Sequence, residues 1–297
     1  MPLFAELDFD PLPWVWAALS MGLIAWRWPR LRGTTLIAPT IWSVAAIACL
    51  AVANAALYPD SDSSSVSWRP PLQYFAGVTS LCPAMALFGA KRPQNGAWQS
   101  IVLSLWIVLC LPSLHWWAVG NDAFGVHAAQ SWFLLILLLM TGSNYCATRF
   151  AVSSLLVTVA QFLLLGEFLP ISLPIPRLAR HSIAPCTLAI LLIALGWPRK
   201  RVARFSLDRV WLDFRDAFGA VWALRVQQRV NQSATMYGWN VRLDWRGFVP
   251  VEGTAISPEI KKSLQDNLSN LLRRFVSPQW IAERLQNPAR TTNTELD

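Results

Sequence analysis

Charge is what this chain has least of. Asp, Glu, Lys and Arg make up 14% of its 297 residues, where a soluble domain holds about a quarter, and hydrophobic residues reach 54%. Such a composition excludes an ordinary water-soluble protein over most of the length. Familiar motifs are missing as well: no P-loop, GxGxxG, GxSxG, HExxH or EF-hand pattern occurs. No carboxylate or lysine stands near the centre of an apolar run, where ion-coupled transporters and proton pumps usually place one. Glu167 is the sole carboxylate within a run, near its end, and reads as a side chain reaching the outer interface. The five cysteines (Cys49, Cys82, Cys110, Cys146 and Cys186) are odd in number and form no CxxC pair. They read as small buried hydrophobes rather than a disulfide framework or a zinc site. The first residues carry Glu6, Asp8 and Asp10 in place of a positive n-region, so they read as mature chain rather than a signal peptide.

What is present is segregated. Residues 1–197 hold nine basic and seven acidic residues, and residues 198–297 hold sixteen and ten. Lipid is the implied solvent of the first part and water that of the second. Seven apolar runs fall in the first part, at 12–28, 35–57, 72–90, 98–119, 125–147, 150–169 and 182–197. A hydrocarbon core about 30 Å thick needs roughly 20 helical residues. The expected fold is therefore an all-α transmembrane bundle of about seven helices (1–197), followed by a small α+β cytoplasmic domain (198–297). Seventeen tryptophans, most of those in the first part near run ends, read as interfacial anchors.

Orientation follows from Lys and Arg in the short connections. An outer N-terminus leaves Arg27, Arg30, Arg32, Lys91, Arg92, Arg149, Arg199, Lys200, Arg201 and Arg204 inside, against Arg69, Arg177 and Arg180 outside. That is a strong positive-inside bias, and it sets the C-terminus in the cytoplasm of a bacterial-type inner membrane. The weakest turn, at 148–149, is retained because a single crossing over 125–169 would move the 199–201 cluster outside. Asn144 and Gln161, expected near each other across the fifth and sixth helices, read as interhelical glue.

In the tail, Ser206 can cap a helix from 207 to about 232. Residues 239–245 alternate apolar and polar as a half-buried strand, and Arg246-Gly247 turns them into a second short strand. Ser257-Pro258 and Ser277-Pro278 are helix-entry pairs. Trp211, Phe214, Phe218 and Trp222 present more aromatic surface than so small a domain is expected to bury, so a partner protein, a second copy or the bilayer should cover them. The cluster Arg199, Lys200, Arg201 and Arg204 reads as attraction to anionic lipid. Trp239 and Trp245 belong to the buried strand face, which argues against nucleic-acid binding.

The reading is a non-catalytic accessory or structural subunit whose tail docks a partner in a membrane complex, in the cytoplasm or in a homo-oligomer. A permease component is a further alternative. The competing reading rests on the three histidines His115, His127 and His181, all expected on the outer side. Imidazoles there could hold haem or a divalent metal, with Trp116, Trp117 and Asp122 nearby, although the favoured reading is three interfacial histidines that hydrogen-bond loops or headgroups.

Overall fold

The computed structural model describes residues 11–57, 68–119, 124–171, 182–197, 206–251 and 256–286. Each of the seven apolar runs contains a helix: α1 (Leu12–Arg27), α2 (Ile37–Leu57), α3 (Arg69–Phe88), α4 (Asn95–Val119), α5 (Ala128–Cys146), α6 (Ala151–Leu165) and α7 (Ile183–Leu195). The expected seven separate spans are supported only in part, however. Among the described residues, three segments are long and apolar enough to cross a membrane: Ile37–Ala55, Asn95–Val119 and Ala151–Phe168. The reason is length and composition. With 16 and 13 residues, α1 and α7 reach only about 24 and 20 Å at 1.5 Å per residue. Helix α3 opens on Arg69 and carries Gln73, and α5 ends in the polar Ser143-Asn144.

α3 is the axis of the bundle. Tyr74, Val78, Leu81, Cys82, Met85 and Ala86 are buried among the other helices, which explains why its composition is less apolar than a lipid-facing helix needs. The close approach of α6 to α3 falls at Gly77, where a Cβ would meet the Leu165 side chain. Buried polar groups pair across the helices. Gln73 Nε2 donates to the Leu164 carbonyl at 2.8 Å, Gln161 Nε2 to the Ser80 carbonyl at 2.8 Å, and Ser20 Oγ to Thr187 Oγ1 at 3.1 Å. Each such bond contributes about 0.6–2 kcal/mol in an apolar surrounding. Three tryptophans donate inside the bundle: Trp42 to Gln99, Trp98 to the Met85 carbonyl and Trp106 to Thr79.

The tail contains α8 (Ser206–Met236), a hairpin of β1 (Val241–Asp244) and β2 (Gly247–Pro250), α9 (Pro258–Leu272) and α10 (Pro278–Gln286). The strands pair antiparallel with Val241 opposite Pro250 and Asp244 opposite Gly247. Val241 and Leu243 face inward, and the alternation ends before Trp245, which sits in the turn. Both Ser-Pro entries form as the sequence predicts. Ser257 Oγ accepts from the Ile260 N–H at 3.3 Å, and Ser277 Oγ accepts from the Trp280 N–H at 3.2 Å. Arg284 fastens α10 to α8 through Asp213 at 2.9 Å and lies over the Trp280 ring at 3.6 Å. Burial lowers its guanidinium below the ordinary value, and the Asp213 carboxylate opposes that shift.

The helix expected from 207 to 232 is longer and is broken. Gly219 has φ 76° and ψ −177°, a conformation essentially restricted to glycine, so α8 consists of two helical halves on either side of it.

Candidate functional site: the seam between tail and bundle

The break in α8 shows how the tail is held. In a continuous helix the Val221 N–H would donate to the Ala217 carbonyl, four residues back. Here two adjacent side chains of α5 stand in that gap. Tyr145 Oη donates to the Ala217 carbonyl at 3.0 Å, and Asn144 Oδ1 accepts from the Val221 N–H at 3.1 Å. The bundle thereby satisfies a carbonyl of the first half and an N–H of the second, groups that a helix end leaves orphaned. A side chain inserted into the hydrogen-bond ladder is a recognised cause of helix breaks. Asn144 is therefore glue between bundle and tail, and Gln161 binds α3 instead of pairing with it.

A second set of bonds joins the segment between α9 and α10 to two connections of the bundle. The Thr35 N–H donates to the Phe275 carbonyl at 3.0 Å, the Arg92 N–H to the Arg274 carbonyl at 2.7 Å, and the Ser277 N–H to the Gly33 carbonyl at 2.6 Å. Thr34 and Val276 form an antiparallel bridge. Gly33 has φ 78°, and a Cβ there would overlap the Ser277 side chain. Only glycine serves both the left-handed backbone and the close approach.

Aromatic packing fills the space between these bonds. Trp211, Phe214 and Phe218 are fully buried, and Trp222 is 7% exposed. Phe275 meets Phe214, Phe218 and Trp222 edge-on at 5.3, 5.4 and 4.9 Å. Leu87 and Ala90 of the bundle belong to the same cluster, and the Trp222 indole donates to the Leu87 carbonyl at 3.0 Å. The expected free aromatic surface is thus corrected. The four rings are covered by α9–α10 and by the end of α3, because the tail packs on its own bundle and buries more than an isolated domain of its size.

Charge completes the seam. Asp216, 6% exposed, lies between Arg215 and Arg149. Arg215 Nε and Nη2 donate to Asp216 Oδ1 at 3.0 and 2.7 Å, and its Nη1 donates to the Trp245 carbonyl at 2.7 Å. Arg149 Nε approaches Asp216 Oδ2 at 3.3 Å as a charge contact without hydrogen-bond alignment. The Trp245 indole donates to the Ala147 carbonyl at 2.8 Å.

Of the other residues singled out from the sequence, His127 caps α5, its Nδ1 accepting from the Ala129 N–H at 3.2 Å. His115 is exposed near the end of α4. His181, Asp122, Arg199, Lys200, Arg201 and Arg204 lie outside the described residues. Among the described residues no three metal-ligating side chains come together.

No family model, curated protein or solved structure matches the chain.

Its own geometry therefore carries the functional argument. Among the described residues the seam is built of backbone hydrogen bonds, aromatic packing and ion pairs. What it can do is hold an amphipathic domain in one orientation against one end of a helical bundle. Sequence reasoning missed Asn144, Tyr145, Gly33 and Gly219 as a set. The available signals were a glycine inside a helical pattern and a polar pair at the end of an apolar run.

Proposed function

We propose that the chain is a non-catalytic multi-pass protein of a bacterial-type inner membrane, with seven crossings, an outer N-terminus and a cytoplasmic tail. It acts as an accessory or structural subunit that presents the tail as a rigid platform to a partner. One observation carries the membrane reading: the outward faces of the shorter helices are as apolar as those of the three long ones. Val15, Leu19 and Trp26 on α1, Trp132, Ile136 and Leu139 on α5, and Leu188 and Leu195 on α7 are exposed alongside Ile101, Val108 and Leu111 on α4. An apolar belt of that extent needs lipid rather than water around it. α3 needs no such face because the other helices cover it.

Orientation has support from the seam. The tail contacts the connections α1–α2, α3–α4 and α5–α6, and these carry Arg30, Arg32, Lys91, Arg92 and Arg149. A basic, tail-bearing end is the cytoplasmic end under the positive-inside rule. The partner-facing surface is no longer the buried aromatic set. It is sought among the exposed apolar residues of the tail, Leu224, Met236, Tyr237, Val249 and Val251, with Tyr237 stacked on Trp239 at 5.3 Å. Impermeant labelling of single cysteines should find residue 62 outside and residues 95 and 297 inside. A label reaching residue 95 from outside contradicts the topology.

A further inference from the structure

The connection α3–α4 and the turn after α9, joined in the seam through their backbones, also build a cleft from their side chains. It has a volume of about 520 Å³ and is lined by Lys91, Arg92, Pro93, Gln94, Arg273 and Arg274. Four cations therefore face one opening with no carboxylate among its walls. Among the described residues none of the four pairs with an acid. The cations cannot simply splay apart at the backbone, because the Arg92 N–H is bonded to the Arg274 carbonyl at 2.7 Å, and Phe275 and Val276 beside them are buried. Gathering four like charges around one opening favours an anion among them.

Two further features specify the anion. The cleft adjoins the first turn of α4, whose unpaired N–H groups and positive dipole end favour negative charge. Three arginines offer planar donor forks that match a phosphate, and a lysine adds a point charge. Depth decides the source. Gln94 immediately precedes Asn95, the first residue of the segment Asn95–Val119 that is long and apolar enough to cross a membrane. A group in the cleft therefore sits at headgroup level.

We propose that this cleft binds the phosphate headgroup of an anionic phospholipid in the tail-side leaflet, so that the lipid ties α9 to the α3–α4 connection. The assignment to a lipid rests on the membrane reading given above. A cation near an anionic headgroup is worth about fivefold in affinity. The full chain, delipidated in detergent, is titrated with phosphatidylglycerol and with phosphatidylcholine and read by native mass spectrometry. Phosphatidylglycerol should bind preferentially, and Arg273→Gln/Arg274→Gln should reduce that preference on the order of thirtyfold. Lys261→Gln/Lys262→Gln, which removes two exposed cations of α9 outside the cleft, should leave it intact. Equal binding of both lipids, or a preference that survives the arginine substitutions, overturns the proposal. So does loss of the preference in both double variants, which reports general charge instead of a site. Inorganic phosphate that protects Arg273 and Arg274 from arginine-directed modification, with no protection by phosphatidylglycerol, assigns the cleft to a soluble anion and also overturns it. Topology is read separately by the label at residue 95, so failure of the orientation and failure of the lipid site are distinguishable.

Discussion

Gly219→Ala should loosen the tail from the bundle without disturbing the bundle itself. Its φ of 76° and ψ of −177° cost a residue with a Cβ about 1–3 kcal/mol. The new Cβ also collides with the Asn144 amide, and moving that amide leaves the Val221 N–H without its acceptor, a further loss of about 1–3 kcal/mol. The total is on the order of 2–6 kcal/mol, a large part of a domain's usual stability. Denaturant titration of the full chain in detergent, followed by hydrogen exchange of peptides over 206–236, measures it. Gly219→Ala/Asn144→Ala removes the collision and keeps the strain, so its loss should be smaller than the sum of the two single losses. Gly22→Ala is the control, because nothing lies within 4 Å of a Cβ there and helix propensity makes it neutral or favourable by about 0.5–1 kcal/mol. Wild-type stability and protection in Gly219→Ala refute the broken helix and its splice.

Trp222→Ala should destabilise the tail by about 3–5 kcal/mol, whereas Trp222→Phe keeps most of the packing and loses mainly the bond to Leu87, about 1 kcal/mol; thermal unfolding separates the two. Arg215→Ala should cost about 3–5 kcal/mol because it strands a buried Asp216, while Arg149→Gln, which leaves Asp216 bonded to Arg215 and removes no aligned hydrogen bond, should cost less. A larger loss for Arg149→Gln in chemical denaturation reverses the assigned roles. His127→Ala should weaken the start of α5 by about 0.5–2 kcal/mol, as loss of a cap does, with no change in metal content by elemental analysis; a bound metal lost in this variant contradicts the capping role.

The elements of this fold were legible wherever the sequence pattern is local. Alternation located the hairpin, the Ser-Pro pairs located α9 and α10, and unbroken apolar runs located α1–α7. Length was harder to read. The runs at 12–28 and 182–197 yield helices of only 16 and 13 residues, and α3 is apolar enough for a buried axis without being apolar enough for lipid. The seam was illegible because its partners are distant in sequence. Nothing adjacent to Gly219 indicates that Asn144 and Tyr145 occupy the gap it opens. Likewise the aromatic excess of α8 reads in the sequence as a surface for an external partner, which burial within the chain corrects. The cover is Phe275 and the end of α3, which only the tertiary structure brings together.

The central claim, that the tail is locked to the basic end of its own bundle, is tested most directly by a cross-link between Thr34 and Val276. These residues face each other in an antiparallel bridge, which sets Cα atoms about 4.5–5.5 Å apart, inside the disulfide range of about 4.4–6.8 Å. Thr34→Cys/Val276→Cys is made in the full chain with the exposed Cys146 replaced by Ser, oxidised mildly, and followed by thiol labelling and intact mass. The account predicts loss of two free thiols in a species that remains monomeric. Thiols that stay fully reactive, or cross-links that join only separate copies, contradict it.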